Sequence, residues 1–554
     1  MAKSKPKLRI TPLGGCGEIG KNMTVFELGK DAIIIDTGVM FPANDMLGVD
    51  LIIPDFRYLT ERKDLTIHGI VYTHGHEDHT GAVAHVIGAF PKVPIYATPL
   101  TAALLEVKLR DAKLLNQTTI NTFFPGDTIQ VGPFKIESYH VTHSIPDCVG
   151  FGINTPYGLV VYSGDYKFDN TPIDGKRADY AKLAEFSQRG VLLLMGDSTN
   201  AEQPGWTASE TVVNNAFDGI FRQAKGRIII ATFASHISRI QQVANLSQRY
   251  GRKLAIAGYS MRENVKTSRR IGLLDIPDDM LIELDQINHF LPHEVVIMAT
   301  GSQGEPSAVL GRLATGQHRN MDVMEGDTIV LSAHTIPGNE ETVSRTINRL
   351  FQRGAEVLYD PIVPVHVSGH AKQEEMKLLM SLTNPKYFVP IHGELRHLRA
   401  HARLALQSGI LEQNIFVVEN GMVLEADKNG VRTTERVPGG YVFVDGSGVG
   451  DVGKAVMRDR EVLARDGFMM VVVNVDGDTG RMIGEPEIIS RGFIYLRDAD
   501  ELIGQIKSTV ADVLANTRQA RNGKRRDRLQ ESLSKMLYNE TKRRPMVFSV
   551  INEQ

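Results

Sequence analysis

The sequence predicts an α/β layered fold with buried sheets, on three observations. Short runs rich in β-branched and aromatic residues, each bounded by Gly, Pro or Asp, alternate with helix-like segments through the first 200 residues. The 554 residues, 42% apolar and 23% charged, suffice for two to four ordinary cores of about 100–200 residues each. No low-complexity tract and no internal repeat interrupts the pattern.

Strands are expected at Leu8–Pro12, Met23–Leu28, Ala32–Asp36, Ile67–Thr73, Ile95–Ala97, Phe134–Tyr139 and Leu159–Ser163, and helices at Ala82–Phe90 and Pro99–Lys113. Between the first two strands, Gly15–Gly20 reads G-x-G-x-x-G, with Asp36 at the right distance for a ribose ligand. A dinucleotide site needs a helix directly after the glycines, to hold the pyrophosphate at its amino end. Here the alternating MTVFEL follows. The glycines are therefore read as a tight turn between strands, and dinucleotide binding is rejected.

Residues 74–79 read His-Gly-His-Glu-Asp-His, in a loop that follows an apolar strand. Imidazole nitrogen and carboxylate oxygen suit zinc, manganese or iron, and His74, His76, Asp78 and His79 could supply about four donors. A solvated His-rich loop is the bland reading; the irregular spacing, the preceding strand and Asp78 weigh against it. Further candidates stand at strand ends: His140 and His143 in SYHVTHSIPD, Asp165 closing LVVYSGD, and His392 in YFVPIHGE. Seven donors (His74, His76, Asp78, His79, His143, Asp165 and His392) suit two metal ions with one carboxylate bridging. Two ions about 3.5–4 Å apart are the usual arrangement for phosphoester cleavage.

Composition excludes several classes. No apolar run approaches the roughly 20 residues of a membrane span. The basic N-terminus runs into TPLGG where a signal peptide needs its apolar region. Two cysteines, Cys16 and Cys148, cannot form a disulfide framework, so a reducing cytoplasm is expected. The net charge of −3 leaves any polyanion site to local clustering.

The ligand order resembles that of metallo-β-lactamase-fold hydrolases: His-x-His-x-Asp-His, a lone His, a Gly-Asp and a late His. The resemblance implies that His74, His76 and His143 hold one metal, Asp78, His79 and His392 the other, and Asp165 bridges. His140 has no counterpart and is read as core or as a support to the ligands. The 227 residues between Asp165 and His392 look like the inserted domain of the β-CASP nucleases. Gly196–Asn200 (GDSTN) resembles that group's acidic motif, and His366, Val367, Ser368, Gly369 and His370 its HVSGH-type motif. A histidine at 392 is the mark of the RNA-processing branch. GGCGEIGKN, HGHEDH, ATFASH, HVSGHA and ISRGFIYL together are similar to the bacterial ribonuclease J family along essentially the whole chain.

That family implies a metallo-β-lactamase αββα sandwich (residues 1–208 and 369–436) interrupted by an α/β β-CASP domain (209–368). A linker (437–458) and a small C-terminal α/β domain (459–554) follow. It further implies 5′-to-3′ exonuclease action preferring a 5′-monophosphate on single-stranded RNA, with endonuclease activity, in RNA maturation and decay. Two divalent ions per subunit are expected, zinc first, with manganese or magnesium as alternatives. They would lower the pKa of a water from about 15.7 to about 7, giving hydroxide at neutral pH. His370, oriented by Asp197, is the candidate general acid.

Within the insertion, Glu210–Lys225 carries apolar residues at helical spacing, and Arg227–Phe233 reads as a strand. Ser235, His236 and Arg239, opening the next helix, suit a phosphate; the plain alternative makes Ser235 a cap. With His366–His370 they form the candidate 5′-phosphate pocket. Val437–Val452 reads as a Gly-rich linker that could also pack in extended form. Strands Phe468–Val475 and Glu487–Leu496 and helices Ala499–Ala515 and Arg528–Tyr538 complete the C-terminal domain. Arg518, Arg521, Lys524, Arg525, Arg526, Arg528 and Lys542–Arg544 form a basic run, read first as a solvated face and second as RNA contact. The family implies self-association through this domain, as a homodimer or homotetramer, and further RNA-decay proteins as partners. Two rivals remain: a small-molecule hydrolase of the same fold, which needs no long insertion, and a non-catalytic RNA-binding subunit, whose mark would be lost ligands.

Overall fold

The computed structural model describes residues 6–43, 46–336, 338–494, 499–518 and 522–554. The chain divides into two units, one of Met1–Phe41 and Leu51–Val442, the other of Pro42–Asp50 and Phe443–Gln554.

In the first unit an eight-stranded sheet places Leu8–Gly14, Met23–Leu28, Asp31–Ile35 and Thr66–Val71 side by side. A six-stranded sheet runs from Thr128–Val131 through Phe134–His140, Val149–Thr155, Gly158–Tyr162 and Val191–Asp197 to Tyr387–Ile391. Alternate residues of the two sheets meet in one core: Phe26, Ile33, Ile35 and Val71 from the first, Phe134, Phe151, Val160, Met195 and Val389 from the second. The opposite faces bury against helices. Val25, Ile34 and Tyr72 pack with Val83, Val86 and Leu109, and Val161, Leu194 and Phe388 with Phe186, Leu379 and Leu404. The result is an αββα sandwich.

The glycines of Gly15–Gly20 make a turn. Leu8–Gly14 pairs antiparallel with Met23–Leu28, no helix intervenes, and Gly15, Gly17 and Gly20 all have positive φ. Strand Val149–Thr155 is an addition to the strands expected from the sequence. Its glycines serve packing: a Cβ on Gly150 would lie 2.3 Å from the Tyr139 ring, and one on Gly152 2.4 Å from the Phe186 ring.

Between Val191–Asp197 and Tyr387–Ile391 the chain builds an all-parallel sheet. Its order is Leu281–Ile282, Lys253–Ala257, Val295–Ala299, Ile228–Ala231, Thr328–Leu331, Glu356–Tyr359. Both faces are covered by helices, as parallel sheets require.

The second unit is a three-stranded sheet of Met482–Arg491, Phe468–Val475 and Met546–Glu553, with Asp500–Asn516 and Asn522–Thr541 packed on one face. The final strand was missed in the sequence. Part of Val437–Val452 packs in extended form, as its sequence allows: Val444 pairs with Val449 in a tight hairpin, and helix Lys454–Asp466 follows. In the basic run, Arg525 is buried and donates to the carbonyls of Thr517 and Arg518, while Arg543 donates to that of Phe493. Those two arginines are structural; Arg518, Lys524, Arg526 and Arg528 are exposed. Arg521 and the end of the strand expected to reach Leu496 lie outside the described residues. No described helix is long and apolar enough to cross a membrane.

Candidate active site and metal centre

Five segments bring chemistry to one place, each at or just beyond the carboxyl end of a strand. They are the loop after Thr66–Val71, the turn after Phe134–His140, the residues after Gly158–Tyr162, the end of Val191–Asp197, and His392 after Tyr387–Ile391. One group of ligating atoms comes from His74, His76 and His143, a second from Asp78, His79, Asp165 and His392. Within each group these atoms lie within 4.8 Å of one another.

The first group is three ring nitrogens aimed at a common point. His76 Nδ1 lies 3.1 Å from His74 Nε2 and 3.2 Å from His143 Nε2. Burial holds all three imidazoles neutral, His74 and His143 well below their ordinary range and His76 at about 4. The Nδ1–H of His143 is used on the Gly369 carbonyl at 2.7 Å, so its Nε2 lone pair faces the cluster. Three converging lone pairs fit a cation.

Asp165 stands between the groups. Its Oδ1 is 2.7 Å from His392 Nδ1, and its Oδ2 is 3.2 Å from His79 Nε2 and 3.7 Å from His74 Nε2. Among the described residues His392 Nε2 is buried without a hydrogen-bond partner, 3.4 Å from Asp78. That nitrogen, facing the Asp78 carboxylate, also fits a metal. Burial opposes charge on His392 and His79, but Asp165 overrides it, lifting His392 to about 10 and His79 well above its ordinary range. His392 itself has φ 50°, a left-handed conformation that costs about 1–3 kcal/mol and recurs at functional sites.

Asp36 is a residue that the sequence reading weighed only as a ribose ligand. It is fully buried, its Oδ2 is 2.8 Å from His79 Nδ1, and it accepts hydrogen bonds from the Thr73 N–H and hydroxyl, each at 2.9 Å. By taking the Nδ1 side of His79 it turns Nε2 toward Asp165. Its position at the end of the DAIIID strand was the available signal.

The acidic and HVSGH segments meet beside the metal centre. Asp197 is buried, anchored by the Thr199 N–H and hydroxyl, and its Oδ2 is 2.8 Å from His370 Nδ1. Burial works against charge on His370, yet Asp197 and Asp165 hold its proton affinity above the ordinary value. Asn200 donates to the Ser368 hydroxyl at 2.8 Å, and Asn200 and Thr207 both donate to the His370 carbonyl. The ligating atoms of Asp197 and His370 also lie within 4.8 Å of those of Asp165 and His392.

Three expectations change. His140 is not core: it is half-buried, with Nδ1 on the Arg177 carbonyl at 3.0 Å, and among the described residues it makes no hydrogen bond to a ligand. Arg239 does not face a phosphate: it is fully buried, paired with Glu210 at 2.7 Å, and donates to the Val365 carbonyl and the Ser332 hydroxyl. The cap of helix Ile237–Arg249 is His236, not Ser235. Ser235 is half-buried beside it, and His236 Nε2 and His366 Nδ1 are buried without partners among the described residues. Val367 is buried and Ser368 half-buried.

The fold and this His/Asp cluster define a metallo-hydrolase, and comparison with known proteins agrees. The metallo-beta-lactamase superfamily model matches residues 16–216, and the ribonuclease J beta-CASP domain model residues 225–350. The Zn-dependent metallo-hydrolase RNA specificity domain matches 354–418, and the ribonuclease J C-terminal domain 455–554. Ribonuclease J2 of Bacillus subtilis is 38% identical over 100% of this chain and 99% of its own. Ribonuclease J 1 of Streptococcus pyogenes is 39% identical over 98% and 97%. A crystal structure of a protein of unknown function from Enterococcus faecalis shares the fold, with TM-score 0.53 and 15% identity over 76% of this chain and 100% of that one. The chain belongs to the ribonuclease J family. It is a metal-dependent ribonuclease.

Proposed function

We propose that this chain degrades single-stranded RNA 5′ to 3′ from a 5′-monophosphate end and also cuts internally, in RNA maturation and decay. Two zinc ions would be held by His74, His76 and His143 on one side and Asp78, His79 and His392 on the other, with Asp165 shared. The five imidazoles and two carboxylates suit zinc first, manganese or magnesium second. When bound, the ions would make water a nucleophile at neutral pH and neutralise charge gathering on the scissile phosphate.

The chain's own residues supply the rest. Asp197 fixes the ring of His370, leaving Nε2 to give its proton to the departing 3′-oxygen. Asn200 and Thr207 hold the backbone of that turn in place. Ser235, His236, His366 and Ser368, with the backbone of Val367 and Gly369, would receive the 5′-phosphate. The partnerless buried nitrogens of His236 and His366 support that role, since buried polar atoms are seldom left unpaired. Free, buried Cys16 and Cys148 suit a reducing cytoplasm. Exposed Phe548 and Val550, on the sheet face away from the helices, support self-association through the second unit.

The His370–Asp197 pair beside Asp165 carries this reading. His370→Ala should keep both metals yet slow cleavage by about 10²-fold or more. Loss of a metal in that variant would make His370 a ligand and remove the acid role.

A further inference from the structure

The inserted parallel sheet carries a second concavity, two strands along from the loop that bears Ser235 and His236. Val295–Ala299 separates Lys253–Ala257 from Ile228–Ala231, and all three run parallel, so the segments that follow them leave the same edge of the sheet. Two strand spacings of about 4.8 Å put those segments about 10 Å apart. Beyond Lys253–Ala257 a cavity of about 240 Å³ is lined by Gly258, Arg262, Arg312, His318, Arg319 and Asn320 over an apolar floor.

Among the described residues no carboxylate lines this cavity. Arg262, Arg312 and Arg319 are exposed, and none has an ion-pair or side-chain hydrogen-bond partner among the described residues. Four other arginines of the insertion are engaged: Arg227 with Asp327, Arg239 with Glu210, Arg269 with Asp278, Arg353 with Asp322. Three unpartnered guanidiniums around one hollow repel one another, and an anion with several oxygens is the chemistry that settles them. The proton affinity of His318 is lowered by burial and then by Arg312, so that positive field reaches into the hollow.

We propose that this hollow is a phosphate subsite for RNA lying upstream of the scissile bond, used in internal cleavage; the proposal rests on the RNA-cleaving reading of the metal centre above. The order of strands supplies the direction. Glu356–Tyr359, whose following segment leads to His370, lies at one edge; Thr328–Leu331, Ile228–Ala231 and Val295–Ala299 come next, then Lys253–Ala257. Counted from His370, the arginines lie beyond Ser235 and His236. An RNA whose 5′ end stops at that loop does not reach them. An RNA that continues past it lays its next phosphates among them.

The test compares the wild type with Arg262→Ala/Arg312→Ala/Arg319→Ala in the full, metal-loaded chain. All three side chains are exposed, so an unchanged thermal midpoint is expected. One substrate is a short 5′-monophosphorylated RNA degraded from its end; the other is a circular RNA, which can only be cut internally. The triple variant should raise KM for the circle by about tenfold or more and leave the short RNA unchanged. Binding of the circle, measured in an inactive Asp78→Ala background, should lose about 2 from its log–log salt slope, at about 0.7 per phosphate contact. Unchanged KM and slope on the circle would overturn the proposal, as would equal weakening on both RNAs. Inorganic tripolyphosphate serves as a free-anion probe: if the triple variant loses only its binding, the hollow holds a free phosphate ligand and the upstream-RNA assignment fails. A wild type that leaves the circle intact would sink the internal-cleavage reading itself, and this proposal with it.

Discussion

The carbonyl of Gly369 accepts the Nδ1–H of His143 at 2.7 Å, and so joins the HVSGH turn to the first cluster of imidazoles. Only glycine fits at 369. A Cβ there would lie 2.6 Å from Nδ1 and Cε1 of His143 and 3.0 Å from the Ser144 nitrogen. Gly369→Ala must therefore displace either the imidazole or the turn. Metal content should fall below that of the wild type, and cleavage should drop by about 10- to 100-fold, as for other supports of metal ligands. Full metal content with normal turnover would show that the contact is incidental.

Asp36 acts on His79 from the side away from the cluster. Asp36→Asn keeps the size but removes the charge that holds the Nδ1 proton. Metal affinity, read by competition with a chelator, should weaken by about 10- to 100-fold. An unchanged affinity would leave Asp36 with a purely structural role.

Ser235→Ala with His236→Ala should erase the preference for monophosphorylated over triphosphorylated RNA while internal cutting survives. Product length on 5′-labelled RNA reads this directly: mononucleotides from the wild type, longer fragments from the double variant. Continued mononucleotide release would place the 5′-phosphate pocket elsewhere.

His401 packs on Phe388 with its Nδ1 3.0 Å from the Ser198 hydroxyl, and burial pushes its pKa down to about 3 despite Asp197. The folded value lies below the unfolded one, so its contribution to stability is complete above pH 6.5 and is lost as pH falls from there toward 3. At pH 5 the loss is about 2 kcal/mol. His401→Gln should therefore show a smaller drop in thermal midpoint between pH 7 and pH 5 than the wild type. Equal acid sensitivity in the two proteins would contradict this.

Much of this is legible in the sequence. HGHEDH announces itself because three imidazoles and two carboxylates fall within six contiguous residues, and Met23–Leu28 alternates plainly enough to reject a dinucleotide fold. What escaped depends on neighbours distant in sequence. Asp36 gains its role only because Asp31–Ile35 lies beside Thr66–Val71 in the sheet. Arg239 reads as a phosphate ligand until burial against Glu210 and Val365 is seen. Gly150 and Gly152 carry no strand signal of their own; they leave room for the Tyr139 and Phe186 rings, which only the packing reveals.

The central claim is that His76 and Asp78 belong to a two-metal centre that cuts RNA. Its most direct test is metal content measured together with cleavage and RNA binding, on the wild type, His76→Ala and Asp78→Ala. The wild type should hold two ions per chain, and each variant should lose metal and cleavage while binding RNA nearly as well. Near-normal turnover by either variant in metal-defined buffer, or a wild type that is active without bound metal, would contradict it.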